Sequence, residues 1–557
     1  MLGLLVAALA YYGSYYRHGI NFQDEGGTLA LQTQRLLNGE LPFRDIDLGY
    51  NVGWFYPLAA LFKVTGVHFV AMRAYFLALS TLAAVFGFLT VEKAARLAGL
   101  QRAAIALGVG VGLLLVATPG MTFKNYNPLA VVTNAWCLLG FVSASPDWRK
   151  SWRWALGGGF ILGATWLVRI DLGTFFTALW LGVIVARLAE SSTTRLQAFI
   201  IHSLLVLAGI TALHLPVFAD ASRRGFSAEL TESYIGNWRR MASPFAGTLP
   251  PSKSLGVVAL VAPPAKPAPL FNGKSRTTWA DVASASDKKY AATLGVFLLT
   301  YAPLFSLIPL AFWAAAQWLR AVSERRDPRP PLAALALVGS SLTMFPQYFF
   351  WRPDAPHISE FGPAYWVAAI AALTLLSAGG SRSRIPTRVL AAYLALHCGV
   401  WVWRILPDRW CGTIAARENR KTLFEGENGV SVFEQKDTAQ WMTEAHRVIR
   451  ENSTDADYLV AWPYHPSFNI FTNRLSYENR LYVDETIAKG SWNAKAIARI
   501  ESHKPRIIVI SNWDINGTEA SRFKNWGAPI YAHVAAKYEL LGIYDKKEQF
   551  EIWKRKP

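Results

Sequence analysis

Two carboxylates stand side by side at Asp24 and Glu25, inside the run Asn21-Phe22-Gln23-Asp24-Glu25-Gly26-Gly27. Neighbouring acids repel, so at least one departs from its ordinary pKa unless a cation or a helix N-terminus offsets the charge. Such a carboxylate suits a general base that takes a hydroxyl proton near neutral pH. An N-cap pair at a helix start accounts for the same residues without chemistry. The residue types leave both readings open. A second polar cluster, Trp351-Arg352-Pro353-Asp354-Ala355-Pro356-His357, sits between two apolar blocks. Arg, Asp and His so near a bilayer are costly unless paired or functional; a loop salt bridge is the plain alternative. Lys124 precedes Asn125 and Tyr126 and reads equally as a substrate contact or a snorkelling lysine. Arg169 and Asp171 flank a turn and read as a structural ion pair, and Arg73 as an interfacial anchor. Asp45 and Asp47 fit the acidic site and turn chemistry equally well.

Residues of this kind need a scaffold, and composition says which. Of 557 residues 52% are hydrophobic, and 22 are tryptophan, a residue that anchors at membrane interfaces. The apolar residues gather in blocks of roughly 16–22, enough to cross about 30 Å of hydrocarbon as a helix. Spans are expected near 1–16, 70–90, 103–119, 128–144, 154–168, 172–186, 197–215, 292–318, 332–348, 364–379 and 389–404. The fold class is therefore a polytopic α-helical membrane protein of about eleven transmembrane helices. The first block is short, lacks a basic start and a small-residue cleavage site, and reads as an anchor helix with a truncated start.

The net charge of +18 is not gathered in one patch or arm, which argues against a nucleic-acid partner. It sits in alternate gaps instead: Lys93, Arg96 and Arg102; Arg149, Lys150 and Arg153; Arg187 and Arg195; Arg320, Arg325, Arg326 and Arg329; Arg382, Arg384 and Arg388. Those gaps face the cytoplasm by the positive-inside rule. Residues 17–69, 120–127, 169–171, 216–291, 349–363 and everything after 404 then lie outside. The three cysteines, Cys137, Cys398 and Cys411, give no disulfide framework or metal-spaced cluster, so the soluble region must hold by its core.

The first outer loop, 17–69, reads as a surface helix from Thr28 to Leu37, with Leu29, Thr33, Leu36 and Leu37 near one face. A turn, Asn38-Gly39-Glu40-Leu41-Pro42-Phe43-Arg44-Asp45, and a second surface helix over Gly53 to Val64 follow. The long outer loop 216–291 carries Arg223, Arg224, Arg239 and Arg240 among Tyr234 and Trp238, as an amphipathic lid or a solvated loop would. Residues 405–557 alternate strand and helix signals and read as a soluble α/β domain, with strands at Tyr458–Trp462 and Arg506–Ile510 and helices at Asp437–Arg450 and Ala494–Ser502. The turn Pro463-Tyr464-His465-Pro466 follows a strand end, where α/β folds often place ligand contacts; packing explains it as well. Asn452-Ser453-Thr454 and Asn516-Gly517-Thr518 match glycosylation sequons, a pattern common by chance.

The acidic pair in a first outer loop, the helix after it, the Asn-Gly-Glu-Leu-Pro-Phe-Arg-Asp turn and the aromatic stretch resemble the GT-C membrane glycosyltransferases. The likeness is greatest to the bacterial branch related to protein O-mannosyltransferases and the lipid A aminoarabinose transferase. It is strongest in the N-terminal quarter. It implies a GT-C-like catalytic domain over 1–404 and an inverting transfer of a sugar from a polyprenyl-phosphate donor to an acceptor hydroxyl, at the outer face of a bacterial inner membrane. Carried over, Asp24 is the catalytic base and Glu25 its helper or a metal contact, with a divalent cation such as Mg or Mn used by some members of the family. Arg352, His357 and Lys124 would hold the donor phosphate, with Asp354, Arg169 and Asp171 in support. The acceptor is a cell-envelope glycan, lipid or protein, and the sugar a hexose or pentose. Two readings of other classes stand beside this one. One is a transporter or flippase of a lipid-linked or glycan substrate, which needs charged groups or broken helices at mid-membrane depth. The other is an inactive scaffold.

Overall fold

In a computed structural model of the chain, the described residues are 1–14, 16–117, 126–145, 147–189, 195–242, 269–270, 274–275, 306–344, 362–377, 388–396, 398, 419–485, 487–488, 490–515 and 519–557. The described chain is mostly helical and ends in a small sheet region. Helix occupies part of every expected apolar block: α1 (Leu2–Gly13), α4 (Phe69–Leu97), α5 (Gln101–Ala117), α6 (Tyr126–Ser143), α7 (Trp148–Val168), α8 (Ile170–Ala186), α9 (Arg195–Arg224), α11 (306–323), α12 (Arg329–Leu342), α13 (Gly362–Ser377) and α14 (388–396). Among the described residues three helices are long and apolar enough to cross a membrane: Phe69–Leu97, Ile170–Ala189 and Leu196–Arg224. The glycines of α7 allow one tight crossing. A Cβ on Gly159 would lie 2.3 Å from the Val206 carbonyl oxygen, and one on Gly209 would lie 2.5 Å from the Phe160 nitrogen. Small residues let backbones approach where hydrocarbon offers no other drive to associate.

The segments expected outside fold differently from two surface helices. The first helix, α2, starts at Asp24, four residues before the expected Thr28; it is π-helical over Asp24–Leu31 and α-helical over Gln32–Leu37. Leu29, Thr33 and Leu36 are buried inside the protein, so their shared face meets a protein core where a membrane surface was expected. The helix α3 (Tyr56–Thr65) keeps the amphipathic character, with Leu58 and Phe62 buried and Val64 exposed. After α9 the chain turns into α10 (Ser227–Ala242).

The C-terminal region begins, in the described chain, with a hairpin of β1 (Thr422–Glu425) and β2 (Ser431–Glu434), then α15 (Lys436–Asn452). A four-stranded sheet follows. β3 (Leu459–Trp462) and β4 (Ile507–Ile510), both fully buried, are parallel and are joined by a crossover that contains helices. β6 (Phe550–Arg555) adds antiparallel to β4, and β5 (Tyr538–Tyr544) closes the edge, in the order β3-β4-β6-β5. Side chains alternate across it. Val460, Trp462, Ile508 and Ile510 pack with Ile500 of α17 (Trp492–His503) and with Ile530 and Val534 of α18 (Ala528–Lys537). Leu459, Ala461, Ile507, Val509 and Ile552 face the other way.

That second face does not end the domain. It belongs to one continuous core with Leu29, Leu31, Leu48, Trp54, Phe69 and Phe76 of the N-terminal quarter. Backbone bonds stitch the seam: Phe433 N donates to Arg17 O, Gly19 N to Phe433 O, Phe69 N to Asn428 O and Asp47 N to Asn479 O, at 2.7–2.9 Å. A charged cluster locks the same seam. Buried Arg35 grips Glu40 through two nitrogens and donates to the Glu478 carbonyl at 2.6 Å, while Arg499 pairs with the Glu478 carboxylate at 3.1 Å. The turn 38–45 is therefore held by Arg35 and by Asp45, which accepts from Leu41 N.

Burial pushes the Glu478 carboxyl up to about 7 against the pull of Arg499 and Arg35. The folded protein then holds that proton more tightly than the unfolded chain, so its contribution to stability is full below 4.5 and is lost as pH rises towards 7. Thermal melts at pH 5 and pH 8 should show Glu478→Gln gaining on the wild type as pH rises. A difference that stays constant would contradict the burial of this group.

Candidate active site

The acidic pair lies where the N-terminal loop becomes helix. Asn21 Oδ1 accepts from the amides of Gln23 and Asp24, both at 2.9 Å, and so covers two donors that a helix start leaves unpaired. The next two residues are glycines for a steric reason. A Cβ on Gly26 would lie 2.0 Å from Ser467 Oγ, and one on Gly27 would lie 1.7 Å from Pro466 Cγ. The turn leaving β3 sits directly on this first helical turn. Ser467 N donates to Phe22 O at 3.2 Å, and Ser467 Oγ donates to Asn21 O at 3.2 Å. Phe22 anchors the approach among Trp441, Phe468, Phe471 and Phe550, with ring centroids 5.5–6.5 Å away. A π-helical turn at this contact is the kind of local distortion that functional sites tolerate.

Successive residues on a helix do not face one another, and the two acids diverge accordingly. Glu25 is buried and paired: Arg73 donates Nε to Oε1 at 2.9 Å and Nη2 to Oε2 at 2.6 Å, and Asn21 N reaches Oε2 at 3.0 Å. Arg73 also donates to Tyr16 O at 3.1 Å and lies over the Phe69 ring. The residue expected as an interfacial anchor is therefore the counter-ion of Glu25. Asp24 is only half-buried and turns to the C-terminal domain, where Tyr464 Oη donates to Asp24 Oδ1 at 2.7 Å. Thr28 Oγ1 meets the same phenol oxygen. Burial and then the charge of Asp24 push the Tyr464 phenol well above its ordinary value, so it stays a proton donor.

An aromatic wall continues from this point. Tyr50 stacks on Trp54 at 4.4 Å, and Trp54 meets Tyr126 edge-on at 5.0 Å. Trp54 Nε1 donates to Val168 O at 3.1 Å and Asn51 Nδ2 to Trp166 O at 3.0 Å, which ties the wall to the turn between α7 and α8. In that turn Arg169 and Asp171 form a two-point ion pair, at 3.0 and 2.5 Å. Beyond it, Trp166 stacks on Tyr234 of α10 at 6.2 Å and meets Trp238 edge-on at 6.0 Å. Asp47 lies away from Asp24 in its bonding: its carboxylate pairs with Arg480 at 2.6 Å. Lys124, Arg352, Asp354 and His357 fall outside the described residues.

Glu25, as its described partners hold it, does not fit a divalent cation. Both Glu25 oxygens already face a guanidinium at 2.6–2.9 Å, in the positions a cation would need. Among the described residues no three His, Cys, Asp or Glu side chains gather as a metal set. The residues that sequence reasoning missed are Arg73 as a partner and Thr28. Tyr464 was signalled only by its place after a strand end.

No family model matches the chain, and no curated protein does. Among solved structures, ArnT from Cupriavidus metallidurans bound to undecaprenyl phosphate matches with a TM-score of 0.47 at 13% identity, over 99% of this chain and 97% of that one.

Removing one partner of a buried ion pair leaves an uncompensated charge, at a cost of about 3–5 kcal/mol. Arg73→Ala should therefore lower the melting temperature in detergent sharply, and Glu25→Gln combined with Arg73→Met should recover much of the loss. Equal melting of Arg73→Ala and wild type would show that the pair is dispensable.

Proposed function

We propose that the chain is a membrane-embedded inverting glycosyltransferase that moves a sugar from a polyprenyl-phosphate donor to an acceptor hydroxyl at the extracytoplasmic face. One observation carries the reading: of two adjacent acids, Glu25 is neutralised by Arg73, whereas Asp24 is partly accessible and held by a proton donor beside an aromatic wall. A paired Glu25 serves structure. An oriented, accessible carboxylate serves proton transfer.

In this mechanism Asp24 takes the proton of the acceptor hydroxyl as that oxygen attacks the anomeric carbon. The bond from that carbon to the phosphate oxygen breaks, and polyprenyl phosphate leaves from the opposite face. A single displacement inverts the centre, and one carboxylate suffices to activate the nucleophile. The leaving phosphate needs cations, a role this reading gives to Arg352, His357 and Lys124, with Asp354 orienting them. The Arg169–Asp171 pair supports the floor of the site. Aromatic faces such as Tyr50, Trp54 and Trp166 suit both a sugar ring and an isoprenoid chain, since each is an apolar, polarisable surface. No step in this scheme passes through a metal. The catalytic domain covers 1–404 and the soluble domain 405–557; the charge of alternate gaps supports an outer position for the latter, and the resemblance to GT-C enzymes implies a bacterial inner membrane.

The test begins with a strain lacking the gene, in which mass spectrometry of lipid extracts should reveal an accumulated polyprenyl-phosphate sugar. Purified protein should release polyprenyl phosphate from that lipid, and Asp24→Asn should lower the rate at least a hundredfold, the usual contribution of a positioned base. Full activity of Asp24→Asn would remove the base. Transfer of intact lipid-linked sugar across liposomes without cleavage would replace the enzyme with a transporter.

A further inference from the structure

A tyrosine hydroxyl has one proton, and here it is spent on Asp24. The Thr28 hydroxyl touching the same oxygen must therefore be the donor in that second contact. The result is a one-way chain of O–H groups, from Thr28 to Tyr464 to Asp24. Its middle member is fixed by the C-terminal domain. The Tyr464 ring meets Tyr482 edge-on at 5.2 Å, and Tyr482 Oη donates to Asp484 Oδ2 at 2.6 Å. Directly after it, His465 Nε2 lies 2.9 Å from Ser511 Oγ, and Pro466 and Ser467 press on Gly27 and Gly26. The phenol oxygen has little freedom to leave.

We infer that Tyr464 is a positioning residue for Asp24: it fixes one carboxylate oxygen by a charge-assisted hydrogen bond and so orients the carboxylate towards the acceptor hydroxyl. Catalysis then requires the C-terminal domain to be docked, because the domain supplies this donor. The inference rests on the reading of Asp24 as the base. It differs from an acceptor-binding role for the 463–466 turn, in which Tyr464 would touch substrate and leave Asp24 alone.

Two measurements on full-length protein test it. The first needs no substrate. An infrared difference spectrum against Asp24→Asn isolates the Asp24 carboxylate band, and Tyr464→Phe, which keeps the ring, should move that band. The second uses the donor lipid identified in the deletion strain. Tyr464→Phe should lower kcat about tenfold, the order that a hydrogen bond to a charged group is worth, with donor and acceptor KM within about twofold. Added to Asp24→Asn, it should cost nothing further, as expected when one residue acts through another. Thr28→Val, which leaves the docking turn untouched, should lower kcat by a smaller factor and serves if Tyr464→Phe fails to fold. An unmoved band or unchanged kcat overturns the inference. A raised acceptor KM at constant kcat overturns it in favour of an acceptor contact, as does an additive loss in the Asp24→Asn background. Full activity of Asp24→Asn removes the underlying reading of the base, and the inference with it.

Discussion

Two turns of chain from opposite ends of the protein meet with no room for a Cβ between them. Pro466 and Ser467 lie against Gly27 and Gly26, and much of the arrangement around Asp24 follows from that contact. It places Tyr464 on Asp24. It also brings the apolar face of the sheet onto Leu29 and Leu31, so that one core runs through both parts of the chain. A side chain at either glycine would have to push the backbone of the other turn away, since packed interiors have no slack of that size. Glycine inside a helix normally costs about 1 kcal/mol relative to alanine; here the contact it permits offsets that cost.

Charge is organised around the same seam. Arg73 and Glu25 neutralise each other beneath Asp24, and Arg35 with Glu40, Arg499 and Glu478 does so to one side. Buried ion pairs of this kind contribute little net stability, because desolvation takes back most of the Coulombic gain. Their effect is on specificity of arrangement: a slipped seam would leave several charges buried and alone. At Asp24 the Tyr464 hydroxyl donates to one carboxylate oxygen and orients it.

The parts that sequence made legible are those governed by local periodicity. Apolar blocks mark helices because the bilayer sets their length, and Leu459–Trp462 and Ile507–Ile510 show as strands because both faces of each are covered. Boundaries set by distant contacts were not legible. A helix was expected from Thr28, yet it runs back through Gly27 and Gly26, whose neighbours at 466 and 467 are about 440 residues away and leave no trace in local spacing. Arg73 looked like an anchor for the same reason, as its partner lies 48 residues back. The strands Tyr538–Tyr544 and Phe550–Arg555 carry Glu539, Glu551 and Lys554, which blurs the alternation that would mark them. For the pair Asp24 and Glu25, chemical type was plain from the start, but the division of labour between them depended on which way each side chain turns.

The sequence separation of 440 residues between Asp24 and Tyr464 also sets an order of events during synthesis. At about 5–20 residues per second, ribosomes need roughly 20 to 90 s to make the stretch between them. For all that time the first acid waits without its phenolic partner, while the intervening helices are made and packed. The site is thus assembled late, from segments 440 residues apart, and a nascent chain that stops between them carries the acid without the hydroxyl that holds it.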